Sequence, residues 1–270
     1  QAENGKVNED ESITFNDAGD ILEDAFGNIW LTNNNGIYRV KKESGEIENY
    51  SEAQGLPNNL IRKLLFDHQG NLWIASHRTG LFQLTDGVFT CFSQSEGLRE
   101  NVGTSIIQHS KSTYWIAMEG GLIDVLKNGK ITPLKLSTPL SGARVKHLMK
   151  DSDGFVWVST YGGIVKIDSN GTVQALPKAL NKIDSYVRQS YQDKKGNIWI
   201  ATRRAGLYKL SWEGILSTFN TQNGLGSNYV MSIDEGADGK ILVGTKNGVS
   251  IIQDDKIVRN INMEHGLPTT

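Results

Sequence analysis

The chain has 270 residues, long enough for a large core, and 28 basic against 30 acidic side chains leave a formal charge of −2. With no Lys/Arg block it lacks the electrostatic footprint of a nucleic-acid binder, and no run approaches the roughly 18–20 consecutive apolar residues of a membrane-spanning helix. Cys91 is the sole cysteine, which excludes an intrachain disulfide and a thiolate metal cluster.

In chain order, residues 1–17 read as a lead segment, and from residue 18 the sequence repeats. Trp30, Trp73, Trp115, Trp157 and Trp199 follow one another at intervals of 43, 42, 42 and 42, and Leu242 takes the next place after 43 more. Only Trp212 stands outside the series. A second marker runs in step: Ser44-Gly45, Asp86-Gly87, Asn128-Gly129, Asn170-Gly171, Glu213-Gly214 and Asp254-Asp255. Most of these are Xaa-Gly pairs suited to tight hairpins. A third marker, Gly-Leu, occurs at 55–56, 97–98, 224–225 and 266–267.

Each unit breaks into four short apolar runs. In the second they are IRKLLFD, NLWIAS, GLFQLT and VFTCFS, bounded by Gly, Asp and Asn, which is strand chemistry. No segment holds a 3.6-residue apolar period. Six repeats of this kind predict an all-β chain, a β-propeller of four-stranded antiparallel blades. The blades are expected at 18–50, 60–92, 102–134, 144–176, 186–219 and 228–262, with 263–270 a C-terminal linker. The tryptophan, flanked by Ile, Leu or Val, is expected to fill the wedge between sheets. The acid six residues before it (Asp24, Asp67, Asp151, Asp193) is expected to cap the following turn through an Asx-type hydrogen bond.

The segments FDHQGNLWIASHRTGLFQL, KDSDGFVWVSTYGGIVKI and YQDKKGNIWIATRRAGLYKL, with the linker EAQGLPNNLI at 52–61, resemble the two-component regulator propeller repeat. The resemblance covers about 245 residues. It implies a periplasmic or extracytoplasmic sensor region of a bacterial membrane receptor, of the kind that detects oligosaccharides, and a non-catalytic role. Unit three departs with SKSTYW in place of the Gly-Asn turn, and unit six with Leu242. Members of that family commonly carry paired propellers of seven blades. Six units either close alone or form part of a larger propeller, and a segment of a longer receptor is the favoured expectation.

In a blade, the bends between second and third strands share a face with the inter-blade linkers. The variable residues after each tryptophan are therefore the candidate ligand-binding set: Asn33, Asn34, His77, Arg78, Glu119, Tyr161, Arg203, Arg204, Lys246 and Asn247. The linkers add Asn58, Asn59, Arg99, Glu100, Arg144, Tyr186 and Asn228. Amides and guanidinium groups suit hydroxyls and carboxylates, and Tyr161 or Tyr186 offers a stacking face. The arginines and Lys246 favour an anionic sugar.

Scattered histidines with no HxH or HExxH pair argue against a metal site, and no loop of dense carboxylates suggests calcium. No nucleophile elbow or phosphate loop is visible, so neither a cofactor nor catalysis is expected. The Asp-box of sialidases is matched only superficially by DSDGFVW at 151–157, and a sialidase- or lyase-like enzyme is the least favoured function. A protein-interaction or dimerisation platform is the runner-up, and a homodimer is compatible with sensing. Membrane contact is expected only through a transmembrane segment elsewhere in the parent protein.

Overall fold

The computed structural model describes residues 19–33, 35–57, 60–85, 87–140, 143–183 and 186–265. Asn34, Asn58, Asn59, Asp86, the lead segment 1–17 with Ala18, and the last Gly-Leu pair lie outside the described residues. The chain forms the six four-stranded antiparallel blades of a β-propeller, each with its strands in sequence order. They span 21–50, 61–92, 103–133, 145–174, 187–219 and 230–261, in step with the repeat. Two compact units each hold three blades. The N-terminal unit comprises blades 1–3, and the C-terminal unit comprises blades 4–6 with residues 136–138.

The second strand of each blade is its most buried. In blades 2, 4 and 5 all five residues of Leu72–Ser76, Val156–Thr160 and Ile198–Thr202 are buried. The strand lies between two partners in its own sheet, and apolar side chains of the next blade pack against it. Alternation is therefore lost and the sequence reads as a nearly continuous apolar run.

The repeated tryptophans anchor this packing. Trp199 joins Ile241, Val243 and Ile252 of the next blade in one apolar cluster. Trp73 does the same with Tyr114 and Ile116, and Trp157 with Ile198 and Ile200. Burial of a large apolar side chain contributes roughly 1.5–3 kcal/mol, so the series stabilises blade-to-blade stacking within each unit. The cross-strand partners of Trp30, Trp157 and Trp199 are Arg39, Lys166 and Lys209. Each cation lies over the indole face, 5.1–5.4 Å from its centroid.

The Gly-Leu marker resolves into a capped turn. Ser51, Ser93 and Asn220 start short 3₁₀ helices with reciprocal capping boxes to Gln54, Glu96 and Asn223. Gly55, Gly97 and Gly224 end them in the left-handed region, with φ of 92°, 109° and 102°. The following Leu56, Leu98 and Leu225 are buried. The linker is thus tied down at both ends, and it delivers the chain to the next first strand in a fixed register.

Candidate functional site

The bends after the tryptophans are built on a repeated backbone bond. The first bend residue donates its N–H to the carbonyl of the residue just before the blade's first strand: His77 to Leu60, Glu119 to Val102, Arg203 to Tyr186 and Lys246 to Tyr229. Each bend closes on a glycine at the head of the third strand. At Gly80 and Gly206 a Cβ would collide with the carbonyl oxygens of Phe92 and Phe219 on the fourth strand, and φ is 96° and 82°. These contacts fix the bend's frame and leave its side chains free to vary.

In the N-terminal unit the bend residues are largely engaged in local structure. Asn33 is buried, and its Oδ1 accepts the N–H of Asn35 at 2.7 Å. Glu119 pairs with Arg144 at 3.1 Å. Arg99 donates through Nε to the fully buried carboxylate of Asp124 and through Nη2 to the Ile123 carbonyl. Glu100 Oε2 accepts the Gly120 N–H at 3.0 Å. His77 is half-buried and Arg78 exposed. Among the linker positions of the C-terminal unit, Asn228 accepts from the Thr221 N–H.

The C-terminal unit brings chemistry together. The rings of Tyr161, on the blade 4 bend, and Tyr186, before the first strand of blade 5, lie 3.8 Å apart between centroids. The Arg203 guanidinium, on the blade 5 bend, sits 5.5 Å from the Tyr186 ring and 5.6 Å from that of Tyr229. Arg188 approaches the same two rings at 5.9 and 5.4 Å and donates from Nη1 to the Tyr229 hydroxyl at 3.0 Å. Lys146 lies 4.8 Å over Tyr161. Burial and a hydrogen bond to Tyr161 push the Tyr186 phenol well above its ordinary value, against the opposing pull of Arg188. The phenol therefore stays neutral and serves as ring face and hydrogen-bonding group.

Arg204 is exposed on the blade 5 bend, and Lys246 and Asn247 are exposed on that of blade 6; Asn247 donates to the Gly226 carbonyl. Of the expected set, Tyr161 and Arg203 enter the cluster directly, with Tyr186 from the linker positions. Arg188, Tyr229 and Lys146 were not expected. Tyr229 lies 43 residues after Tyr186, in the place before the first strand, so the repeat itself carries that signal. Arg188 is the extra residue of a β-bulge: Val187 pairs with Thr202 and Gln189 with Ala201. A bulge turns a side chain out of the strand's alternation, and alternating polarity gives no sign of it. Blades 2 and 6 place Arg62 and Met231 in matching bulges.

The ion pairs of the described residues involve neither Arg188 nor Arg203. Two guanidinium groups thus face two phenol rings with donors to spare. Such an arrangement can hold an anionic group bidentately and stack an apolar ring face.

The family described as two component regulator propeller matches residues 55–78, 139–162 and 181–204. These stretches contain the first two strands and the opening of the bend in blades 2, 4 and 5. No curated protein sequence matches the chain. Among solved structures, a streptogramin B lyase is 17% identical with a TM-score of 0.76, over 96% of this chain and 86% of that one. Virginiamycin B lyase from Staphylococcus aureus is 16% identical with a TM-score of 0.73, over 89% and 82%. The extracellular domain of a protein assigned as a hybrid two component system in B. thetaiotaomicron is 23% identical with a TM-score of 0.56. It matches 94% of this chain, which spans 41% of that one. At these identities the structural likeness shows the fold alone.

Proposed function

The chain carries two component regulator propeller repeats, and from that premise we propose that it is an extracytoplasmic, non-catalytic ligand-sensing domain of a bacterial signal-transduction receptor that recognises an oligosaccharide. The carrying observation is the cluster of Tyr161, Tyr186 and Tyr229 with Arg188 and Arg203. Phenol rings stack on the C–H face of a sugar, and the guanidinium groups select an acidic one bearing a carboxylate or sulfate. The structure of a receptor's extracellular domain with the same fold supports the signalling context. Signalling follows when the ligand binds one receptor conformation more tightly than another.

The test is a thermal-shift screen against neutral and uronic-acid-containing oligosaccharides. A ligand at about 100 times its dissociation constant adds roughly 2.7 kcal/mol, a shift of several degrees for a domain of this size. The joint substitution Arg188→Ala with Arg203→Ala is expected to abolish the response with the unliganded Tm unchanged. A flat screen moves the function to a protein partner. Turnover of a bound glycan would instead make the domain an enzyme, the reading towards which the lyases of similar fold lean.

A further inference from the structure

Blades 5 and 6 also form a cleft at the opposite ends of their strands, where the turns between first and second strands and the third-to-fourth-strand hairpins lie. It has two contiguous lobes of about 310 and 300 Å³ that share Lys195, Asn197, Lys209 and Asp255. At the rim of the first lobe is Trp212, the tryptophan outside the series, with 75% of its surface exposed. Its hairpin is held by reciprocal bonds between Ser211 and Ile215, so the indole is presented on a fixed turn.

The floor of the cleft contains an unanswered acceptor. In blades 1 and 2 the asparagine of the Gly-Asn turn has both ends of its amide occupied. Nδ2 donates to the turn aspartate, and Oδ1 accepts from the Lys42 N–H at 3.1 Å or the Thr85 hydroxyl at 3.0 Å. In blade 5, Asn197 Nδ2 donates to Asp193 in the same way. The position matching Lys42 and Thr85 is Ser211, whose N–H donates to the Ile215 carbonyl and whose hydroxyl oxygen accepts the Ile215 N–H, and it makes no bond to Asn197. Asn197 is 4% exposed and lines both lobes, and its Oδ1 accepts from none of the described residues. The oxygen is not among the buried polar atoms left without a partner, so it opens into the cleft, where a ligand hydroxyl can take the place of solvent.

The neighbouring groups define the ligand. Lys209 Nζ meets Asp255 Oδ1 at 2.6 Å, which sets a donor beside an acceptor. Asp254 and Asp255 hold this hairpin at φ of 48° and 59°, where the other blades place glycine at the second position. A phosphate or nucleic acid would meet Asp254, Asp255 and Glu235 against only Lys195 and Lys209. A hydrocarbon such as a lipid tail would leave Asn197 Oδ1 without a donor. Hydroxyl groups donate and accept at once, and a pyranose ring also has an apolar face for an indole.

We propose that this cleft is a second ligand site, separate from the tyrosine–arginine cluster, that takes one pyranose ring against Trp212 and receives a hydroxyl at Asn197 Oδ1. The volume stands at the small end of ligand pockets, which run from about 300 to 1,000 Å³.

The experiment titrates the full chain with methyl β-glucoside, methyl β-galactoside, methyl α-mannoside and N-acetylglucosamine. It follows the indole Nε1–H resonances by NMR, with Trp212 assigned through its loss in Trp212→Ala. The expected result is a saturable shift of the Trp212 signal by at least one of these sugars. That sugar's affinity, measured by calorimetry, should fall at least tenfold in Trp212→Ala, be largely restored in Trp212→Phe and be unchanged in Val88→Ala, at an exposed position on blade 2. The Trp212 resonance reports this cleft and not the bend cluster, so either site can fail alone. No saturable shift with any of the four overturns the proposal. So does a Trp212 shift that follows protein concentration alone, which would mark the hairpin as a contact between copies of the chain.

Discussion

The Oδ2 atom of Asp193 accepts the indole Nε1–H of Trp199 at 2.8 Å, from six residues earlier in the chain and across the turn between the first two strands. The other oxygen of the same carboxylate accepts the backbone N–H groups of Lys195 and Asn197. One side chain thus closes the turn and satisfies the only polar atom of the blade's largest buried ring. The geometry recurs at Asp24–Trp30, Asp67–Trp73 and Asp151–Trp157, at 2.8–2.9 Å.

Removal of that carboxylate leaves a buried indole N–H and two turn N–H groups without acceptors. Asp193→Ala is expected to destabilise the domain by about 3 kcal/mol. Urea denaturation reads this directly, and a loss below about 1 kcal/mol would show that the turn closes without the acid.

Acid should act through the same groups. Burial alone would raise the carboxyls of Asp24 and Asp67, but the indole, asparagine and backbone donors outweigh it and hold both below their ordinary value of 3.8. Burial and the facing Asp67 carboxylate push the Tyr114 phenol up to about 12. A folded-state value below the unfolded one gives stability that is present above the unfolded value and lost as pH falls through the folded one. Tm is therefore expected to decline below about pH 4. Asp67→Asn should flatten that decline; an unchanged acid limb in the variant would place the sensitivity elsewhere.

Blade 3 departs from the pair at the acid position alone, and blade 6 at both positions. In blade 3 the position six before Trp115 is His109, whose ring stacks on the indole at 4.5 Å and 4°. In blade 6 the corresponding residues are Gly236 and Leu242. Leu242→Trp alone adds an indole N–H with no acid to receive it, and Gly236→Asp alone adds an acid with no indole. The double variant is expected to be more stable than the sum of the singles by about 1 kcal/mol, within the range found for contacting pairs. Additive effects in the double-mutant cycle would separate the turn acid from the ring.

The linkers give a graded test. Leu225 is buried behind the Asn220 capping box. Leu225→Ala should cost about 2–4 kcal/mol through the cavity it leaves, and Asn220→Ala about 1 kcal/mol through the lost cap. Equal costs would mean that the cap, and not the leucine, anchors the linker.

At the bend cluster, Tyr229→Phe removes the hydroxyl that accepts from Arg188 and leaves the ring in place. The freed donor should strengthen binding of an acidic oligosaccharide several-fold and leave neutral ones unaffected, as measured by calorimetry. Equal changes for both classes would mean that Arg188 does not read charge.

The residue order by itself determined the blades. Intervals of 42 and 43 between tryptophans, hairpin pairs in step and strand-length apolar runs specify the repeat, because each blade buries the same faces at the same places. It also marked Asp193 and its equivalents as turn caps, since an acid before a Gly turn has a local role. The bond from that acid to the indole appears only once the turn folds back and brings residues six apart into contact. Arg188 was hidden for a related reason: the bulge that turns it towards Tyr186 and Tyr229 is a mismatch in pairing between two strands, and neither strand shows it alone. Asn197 was equally silent, because its sequence matches that of Asn28 and Asn71, and only the folded turn shows Ser211 bonded to Ile215 where Lys42 and Thr85 donate to the amide oxygen. Repetition in sequence fixes what is common to the blades; tertiary contacts decide where one blade differs from the rest.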